Sequence, residues 1–233
     1  MSKPIVLGST EFGKVPRVAA IIDSLLPVEK VVGLAAVGVD LLEIRFDLIS
    51  KPLVDVVAYV KSIAAATTLP LLGTIRETNA NRLNRLSWFE NALPMLDAVD
   101  IEVDAVIRDD VIHMARASDV KVVVSEHDFK SMPDNARLQQ ITGVCIKAGA
   151  HIVKVAGMPR SASDITRLLR FCQDCEIPMI AIAMGEIGTI SRLIGPLFGS
   201  LVTYGFLGES VAPGQLPVDL LIAELRRYYP ASK

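Results

Sequence analysis

Lys154 stands in the run His151-Ile-Val-Lys-Val-Ala156, an otherwise apolar stretch. A charged amine within such a stretch is costly unless a carboxylate pairs with it, and Glu102 or Glu126 could serve. The same residue could instead be a nucleophile. An amine kept neutral by burial and by nearby cations attacks a carbonyl and forms a Schiff base. Arg45, Arg76 and Arg192 are the cations available for that purpose. His127 ends the preceding strand-like run, so pairing of the two runs makes it a neighbour of Lys154, adjacent strands lying about 4.8 Å apart. It could be a capping group, but an imidazole beside an amine nucleophile reads as covalent catalysis with a proton shuttle. Glu43 and Arg45, two residues apart, share one strand face and could form a mutual ion pair. A guanidinium can also grip a carboxylate through two parallel hydrogen bonds, so the arginines together suggest a small anionic substrate. The three histidines lack metal-ligand spacing, and a basic site repels divalent cations, so no metal is expected.

These residues need a scaffold, and the chain alternates short β-branched runs with longer helical patterns. Strands are expected over 17–22, 40–46, 71–75, 98–103, 121–125, 151–155, 178–183 and 200–205. Helical spacing covers 28–37, 53–66, 83–95, 110–117, 135–148, 163–175, 188–197 and 218–229. Strict alternation means parallel strands. No glycine-rich phosphate turn follows the first strand, which argues against an open doubly wound sheet. The expected fold is therefore α/β, a single-domain (β/α)8 TIM barrel over 1–233, with residues 1–16 a short segment at its base. Catalytic groups of such a barrel project from the C-terminal strand ends. There the sequence places Glu43, Arg45 and Asp47; Thr74, Arg76 and Glu77; Asp100, Glu102 and Asp104; Ser125 to Asp128; Lys154; Met184 and Glu186; and Thr203 with Tyr204.

Composition narrows the classes. Twenty-four basic against 26 acidic residues give a net charge of −2, which offers nothing to nucleic acid or anionic lipid. Hydrophobic residues at 51% and a mean hydropathy of +0.43 suit a sheet buried on both faces. The longest uncharged run, 193–208, is too short and too broken by glycine and proline to span a bilayer. No signal peptide is visible at the N-terminus. Three cysteines argue against a disulfide framework, and Cys172 and Cys175 read as reduced thiols on a helix, in keeping with the cytoplasm. The apolar run 218–223 suggests a homodimer, and 209–215 is the best lid candidate because it carries Pro213 and Gly214.

At the strand ends the sequence resembles the type I 3-dehydroquinate dehydratases. The resemblance rests on Glu43-Ile-Arg45 with Asp47, Thr74-Ile-Arg76, Asp100-Ile-Glu102, Ser125-Glu-His127-Asp-Phe129, Lys154-Val-Ala156 with Met158-Pro159, Gly188-Thr-Ile-Ser-Arg192, Phe198-Gly-Ser200 and Ala212-Pro-Gly-Gln215. Each marker is weak alone, and their joint order is specific. It implies that Lys154 forms an imine with the substrate ketone and that His127 moves protons. It also implies that Arg192 binds the substrate carboxylate, that Gln215 closes the site, and that Glu43, Arg45 and Arg76 hold ring hydroxyls. Met184 and Phe129 would be apolar walls. The product would be 3-dehydroshikimate, with no cofactor and a small molecule as the only ligand. Where such proteins often carry Glu-Gly-Gly this chain has Ala80, Asn81 and Arg82, so Asp100 or Glu102 is expected to orient His127 instead. Val211 replaces a serine, Ile182 a methionine and His151 an aspartate. The alternatives are a class I aldolase, which would lack a phosphate loop here, and a catalytically degraded barrel that binds a cyclic hydroxy acid.

Overall fold

Alternation along each strand decides what this barrel encloses. A computed structural model describes residues 3–230. Eight parallel strands follow the chain in order: Val18–Ile22, Leu41–Arg45, Leu71–Thr74, Ala98–Glu102, Lys121–Asp128, Ile152–Gly157, Met179–Ala183 and Thr203–Phe206. Each pairs with its successor through the seventh, and the eighth pairs with the first. The cylinder closes where Met179 bridges Ser200. The Leu201 amide donates to the Met179 carbonyl at 3.0 Å, and the Ser200 hydroxyl accepts from the Ala181 amide at 3.0 Å. A two-residue strand, Leu216–Pro217, adds to the outer edge of the eighth.

Successive side chains of a strand face opposite ways. Val18, Ala20 and Ile22 pack outward with Leu42 and Ile44 against the helices, whereas Ala19, Ile21, Leu41, Leu72, Ala98, Val123, Ile152 and Ile180 cluster within the barrel. Two residues further along five of these strands, the inward positions become Glu43, Thr74, Asp100, Ser125 and Lys154. The barrel is thus oily below and polar above, and period two alone places these groups on one level. Leu7 and Phe12 complete the lower cluster. They come from an antiparallel hairpin, Ile5–Leu7 with Thr10–Phe12, so the N-terminal segment is a plug with its own strands.

Helix entry is written locally. Asp134 accepts from the Arg137 amide at 2.8 Å, and Ser161 with Asp164 forms a capping box on Ala162–Asp174. Three expected helices are broken, the 83–95 segment passing from Arg85–Ala92 into a 3-10 turn, Leu93–Met95. The 28–37 segment divides at Gly33 into Val28–Val32 and Leu34–Val37. The 188–197 segment becomes Gly185–Gly188, Ser191–Ile194 and a 3-10 turn, Gly195–Phe198, because Pro196 lacks the amide a continuing helix needs. Strand five runs to Asp128, three residues past its expected end, and keeps His127 in register with Ala156.

The helix Val218–Tyr228 turns Val218, Leu221, Ile222 and Leu225 into its own barrel and leaves Leu220 exposed. Cys145, Cys172 and Cys175 are free and buried, and burial pushes the Cys145 and Cys172 thiols up to about 12. They are inert as thiolate nucleophiles. No described helix is long and apolar enough to cross a membrane.

Candidate active site

At the C-terminal strand ends lies a cavity of about 370 Å³, lined among others by Glu43, Arg45, Arg76, His127, Lys154 and Arg192. Asp100 is its electrostatic centre. The carboxylate is fully buried, and its Oδ1 accepts from Arg76 at 2.9 Å and from the Ser125 hydroxyl at 2.6 Å. Its Oδ2 accepts from the Lys154 amine at 3.0 Å. Arg76 and Lys154 hold this carboxyl far below the usual carboxylate range despite burial.

Lys154 is 4% exposed and lies opposite Ser125 in the strand register. Its Nζ also lies 3.5 Å from Glu43, which accepts from the Thr74 hydroxyl at 2.7 Å. Burial alone would lower the amine's pKa, but Asp100 and Glu43 outweigh it and raise it above the ordinary lysine value. This corrects the expectation of a neutral amine: the unliganded site holds an ammonium. Its partners are also other than the sequence suggested. Glu126 binds Arg137, and Glu102 binds Arg85 and Arg76.

His127 is half-buried and stacks on Phe129, with ring centroids 6.3 Å apart and planes at 18°. Burial, with Arg76 and Lys154 nearby, lowers its pKa to about 3, so the ring is neutral throughout the physiological range. Neither Asp100 nor Glu102 hydrogen-bonds to it among the described residues, contrary to the expectation that one of them orients the ring. Both carboxylates are already committed to cations. The contact with Phe129 is what the ring has instead, and Phe129 itself sits at the mouth, 58% exposed, rather than in an inner wall.

The Glu43–Arg45 ion pair does not form. Arg45 reaches Asp47 with two hydrogen bonds, 3.1 and 2.7 Å, leaving Glu43 to Thr74 and Lys154. Met184 is a buried wall, with Ile182 beside it.

Of the cations lining the cavity, Arg192 is the one that meets no carboxylate among the described residues. Its Nε donates to the Gly214 carbonyl at 2.7 Å and one terminal nitrogen to the Pro213 carbonyl at 3.3 Å. Burial without a carboxylate lowers its pKa to about 10. The guanidinium remains charged at neutral pH and is short of negative partners, which is the condition for binding an anion. Gln215 uses its side-chain oxygen on the Val211 and Ala212 amides, at 3.0 and 3.2 Å, and thereby holds its own loop in shape. The loop is docked: Thr189 also donates to the Gly214 carbonyl, and Gly185 to the Pro213 carbonyl. Gly214 has φ +73°, and a side chain there would meet the Gly185 carbonyl at 2.3 Å, so glycine is required.

Two residues support the site in ways the sequence did not show. Buried Arg85, from a helix, binds the Ile75 carbonyl and Glu102; buried Asn81 receives the Thr78 amide and donates to the Arg76 carbonyl. Both fix the loop that aims Arg76. Only their contacts distinguish them from surface polar residues of the same helix and loop. His151 accepts from the Val122 amide at the far end of the barrel, away from the site. Among the described residues, no group of three or more His, Cys, Asp or Glu is placed to hold a metal ion.

Fold and site together define a (β/α)8-barrel enzyme with a lysine on the floor of its cavity and a buried arginine, short of negative partners, in its wall. The profile of the Type I 3-dehydroquinase family matches residues 21–232, and the chain belongs to that family. It is a hydro-lyase, which sets the aldolase alternative aside. The 3-dehydroquinate dehydratase of Methanocella arvoryzae is 35% identical over 197 residues, 82% of this chain and 88% of that protein. That of Methanococcoides burtonii is 33% identical over 225 residues, covering 91% and 94%. Among solved structures, the 3-dehydroquinate dehydratase of Geobacillus kaustophilus superposes with a TM-score of 0.87 at 29% identity, covering 99% of this chain and 98% of that one.

Proposed function

We propose that this chain dehydrates 3-dehydroquinate to 3-dehydroshikimate through an imine on Lys154, with His127 carrying protons. The observation that carries the reading is the Lys154 amine, fixed by two carboxylates on the cavity floor near an imidazole that stays neutral. The relatives' names supply the substrate; the residues supply the route. Ammonium and protonated imine both bear one positive charge, so Asp100 and Glu43 stabilise the start and the covalent intermediate alike. The difficult moment is the transfer of a proton from the ammonium, which frees the lone pair for attack on the ketone.

Once formed, the protonated imine is an electron sink. It acidifies the adjacent C2–H, and neutral His127 is in the correct state to accept that proton. The imidazolium then returns a proton to the departing C1 hydroxyl, which leaves as water, and hydrolysis of the imine frees the product. The substrate carboxylate belongs on Arg192; Glu43, Arg45 and Arg76 face the ring hydroxyls; Gln215 keeps the last loop over the site. Three reduced cysteines accord with work in the cytoplasm.

The test is borohydride reduction of the protein mixed with 3-dehydroquinate, followed by intact mass and peptide mapping. The expected adduct lies on Lys154; an adduct elsewhere, or none on folded protein, overturns the imine. His127→Ala is expected to lower kcat by about 10²–10⁴-fold, the ordinary contribution of a general acid–base group, while slow capture persists. Because the free imidazole titrates near 3, wild-type kcat/KM should show no histidine limb between pH 5 and 8. A limb near 6.5 that vanishes in His127→Ala would contradict this.

Arg192→Ala removes the one charge-assisted grip on the carboxylate. The loss of about 1.5–3 kcal/mol corresponds to roughly tenfold to a hundredfold in affinity. It should appear as a raised KM with kcat much less affected. A neutral analogue lacking the carboxylate should bind wild type and variant equally.

A further inference from the structure

Tyr204 lies on strand eight, inward-facing, 2% exposed and lining the cavity. The Lys154 Nζ sits 4.5 Å from the centre of its ring. The phenol oxygen is buried, and among the described residues it completes no well-formed hydrogen bond, the Lys154 amine being the one side chain close enough to act on it as a donor. Buried hydroxyls are almost always satisfied, and leaving one unmade costs stability. A phenylalanine would provide the same ring face to the ammonium without that cost. The hydroxyl is thus poorly satisfied by the fold, and its surroundings are the reacting groups: Lys154, Glu43 and Asp100 all act on it electrostatically.

Resting on the imine reading above, we infer that the Tyr204 hydroxyl is a further catalytic group, donating a hydrogen bond to the oxygen on the substrate carbon that becomes bonded to Lys154. That oxygen is the substrate atom whose position the chemistry fixes, since its carbon must come within a single bond of Nζ. The ammonium first gives one proton to His127. The nitrogen lone pair then forms the C–N bond, the carbonyl π pair moves to oxygen, and a proton shifts from nitrogen to that oxygen, giving the neutral carbinolamine. Next the nitrogen lone pair forms the C=N bond and the C–O pair leaves on oxygen, which takes the proton from the imidazolium and departs as water. Ketone plus ammonium thus gives protonated imine plus water, with one positive charge on each side. Tyr204 loses no proton. Its O–H shares in the negative charge that builds on the oxygen in the attack and again as the C–O bond breaks. Burial and the neighbouring carboxylates raise the phenol's pKa, which keeps it a neutral donor.

Tyr204→Phe separates this role from a packing role, because it keeps the ring and the cation contact. The variant should melt no lower than wild type, since a buried unsatisfied group is gone. Its adduct on Lys154, followed by quenching 3-dehydroquinate mixtures with borohydride at successive times, should accumulate at least about tenfold more slowly. Steady-state kcat should fall in parallel, with KM nearly unchanged. Wild-type adduct with an equal rate in the variant overturns the hydroxyl's role and leaves the imine standing. Absence of adduct in wild type overturns the imine itself. A lowered melting temperature with unchanged rate would assign the hydroxyl to packing and also overturn the proposal.

Discussion

Lys154→Ala is expected to reduce turnover of 3-dehydroquinate by about ten-thousandfold or more, because removing a covalent nucleophile eliminates the route rather than slowing a step. No other described side chain on the cavity floor can replace it: Asp100 and Glu43 are carboxylates already engaged, and His127 sits two register pairs higher. The variant should still fold. With the ammonium gone, Asp100 keeps Arg76 and Ser125 as donors, and Glu43 keeps the Thr74 hydroxyl and the fields of Arg45 and Arg76. The measurement is kcat together with far-ultraviolet circular dichroism. A folded variant with more than about one hundredth of the wild-type rate would defeat the Schiff-base mechanism.

Asp100→Asn should have the largest effect on stability. Asparagine preserves shape but not charge, and its amide must present a donor where the carboxylate presents acceptors. If the amide oxygen stays with Arg76 and Ser125, its nitrogen faces the Lys154 amine at the 3.0 Å position, donor against donor. Two cations then share a buried space with less to oppose them. Breaking one partner of a buried ion pair costs about 3–5 kcal/mol, read as a shift in urea midpoint at pH 7. An unchanged midpoint would show that the cluster contributes nothing to the fold.

The pH dependence has a definite sign. Asp100 is depressed in the folded state, so its contribution is present above the unfolded value of about 3.9 and disappears as pH falls through the folded one. Lys154 is raised, so its contribution is complete below about 10.4 and disappears as pH rises through its folded value. The wild-type excess over Asp100→Asn should therefore persist across pH 4–10 and narrow at both extremes.

Much of this architecture was legible from period alone. Leu41-x-Glu43-x-Arg45 and Ile152-x-Lys154 read directly as strands whose inward face changes from apolar to polar toward the catalytic end. The family markers then assigned the residues of one face to one pocket. What could not be read was choice among partners. Glu43, Asp100, Glu102 and Glu126 are equivalent in sequence, yet only the first two meet Lys154, because pairing depends on strand stagger around a closed cylinder. The same ambiguity hid the protonation state of the amine. Arg85 escaped notice, and Asn81 was visible only as a departure from the family pattern, because their roles rest on contacts across a loop. Tyr204 was visible as a strand-end residue, but its unsatisfied hydroxyl is a property of packing.

The closure of the barrel has a mechanical consequence. Other neighbouring strands are joined by ladders of three to six register pairs, whereas the seventh and eighth meet through one bridge and a borrowed serine hydroxyl. This is the least-laced seam of the cylinder, and sparse lacing is where proteins breathe first. Arg192 follows one side of that seam and Gly214 the other, so their hydrogen bond is a stitch across its top. If the carboxylate seats on Arg192 as proposed, it would tighten the stitch, and the substrate's own anionic group would become a temporary rivet in the wall that surrounds it.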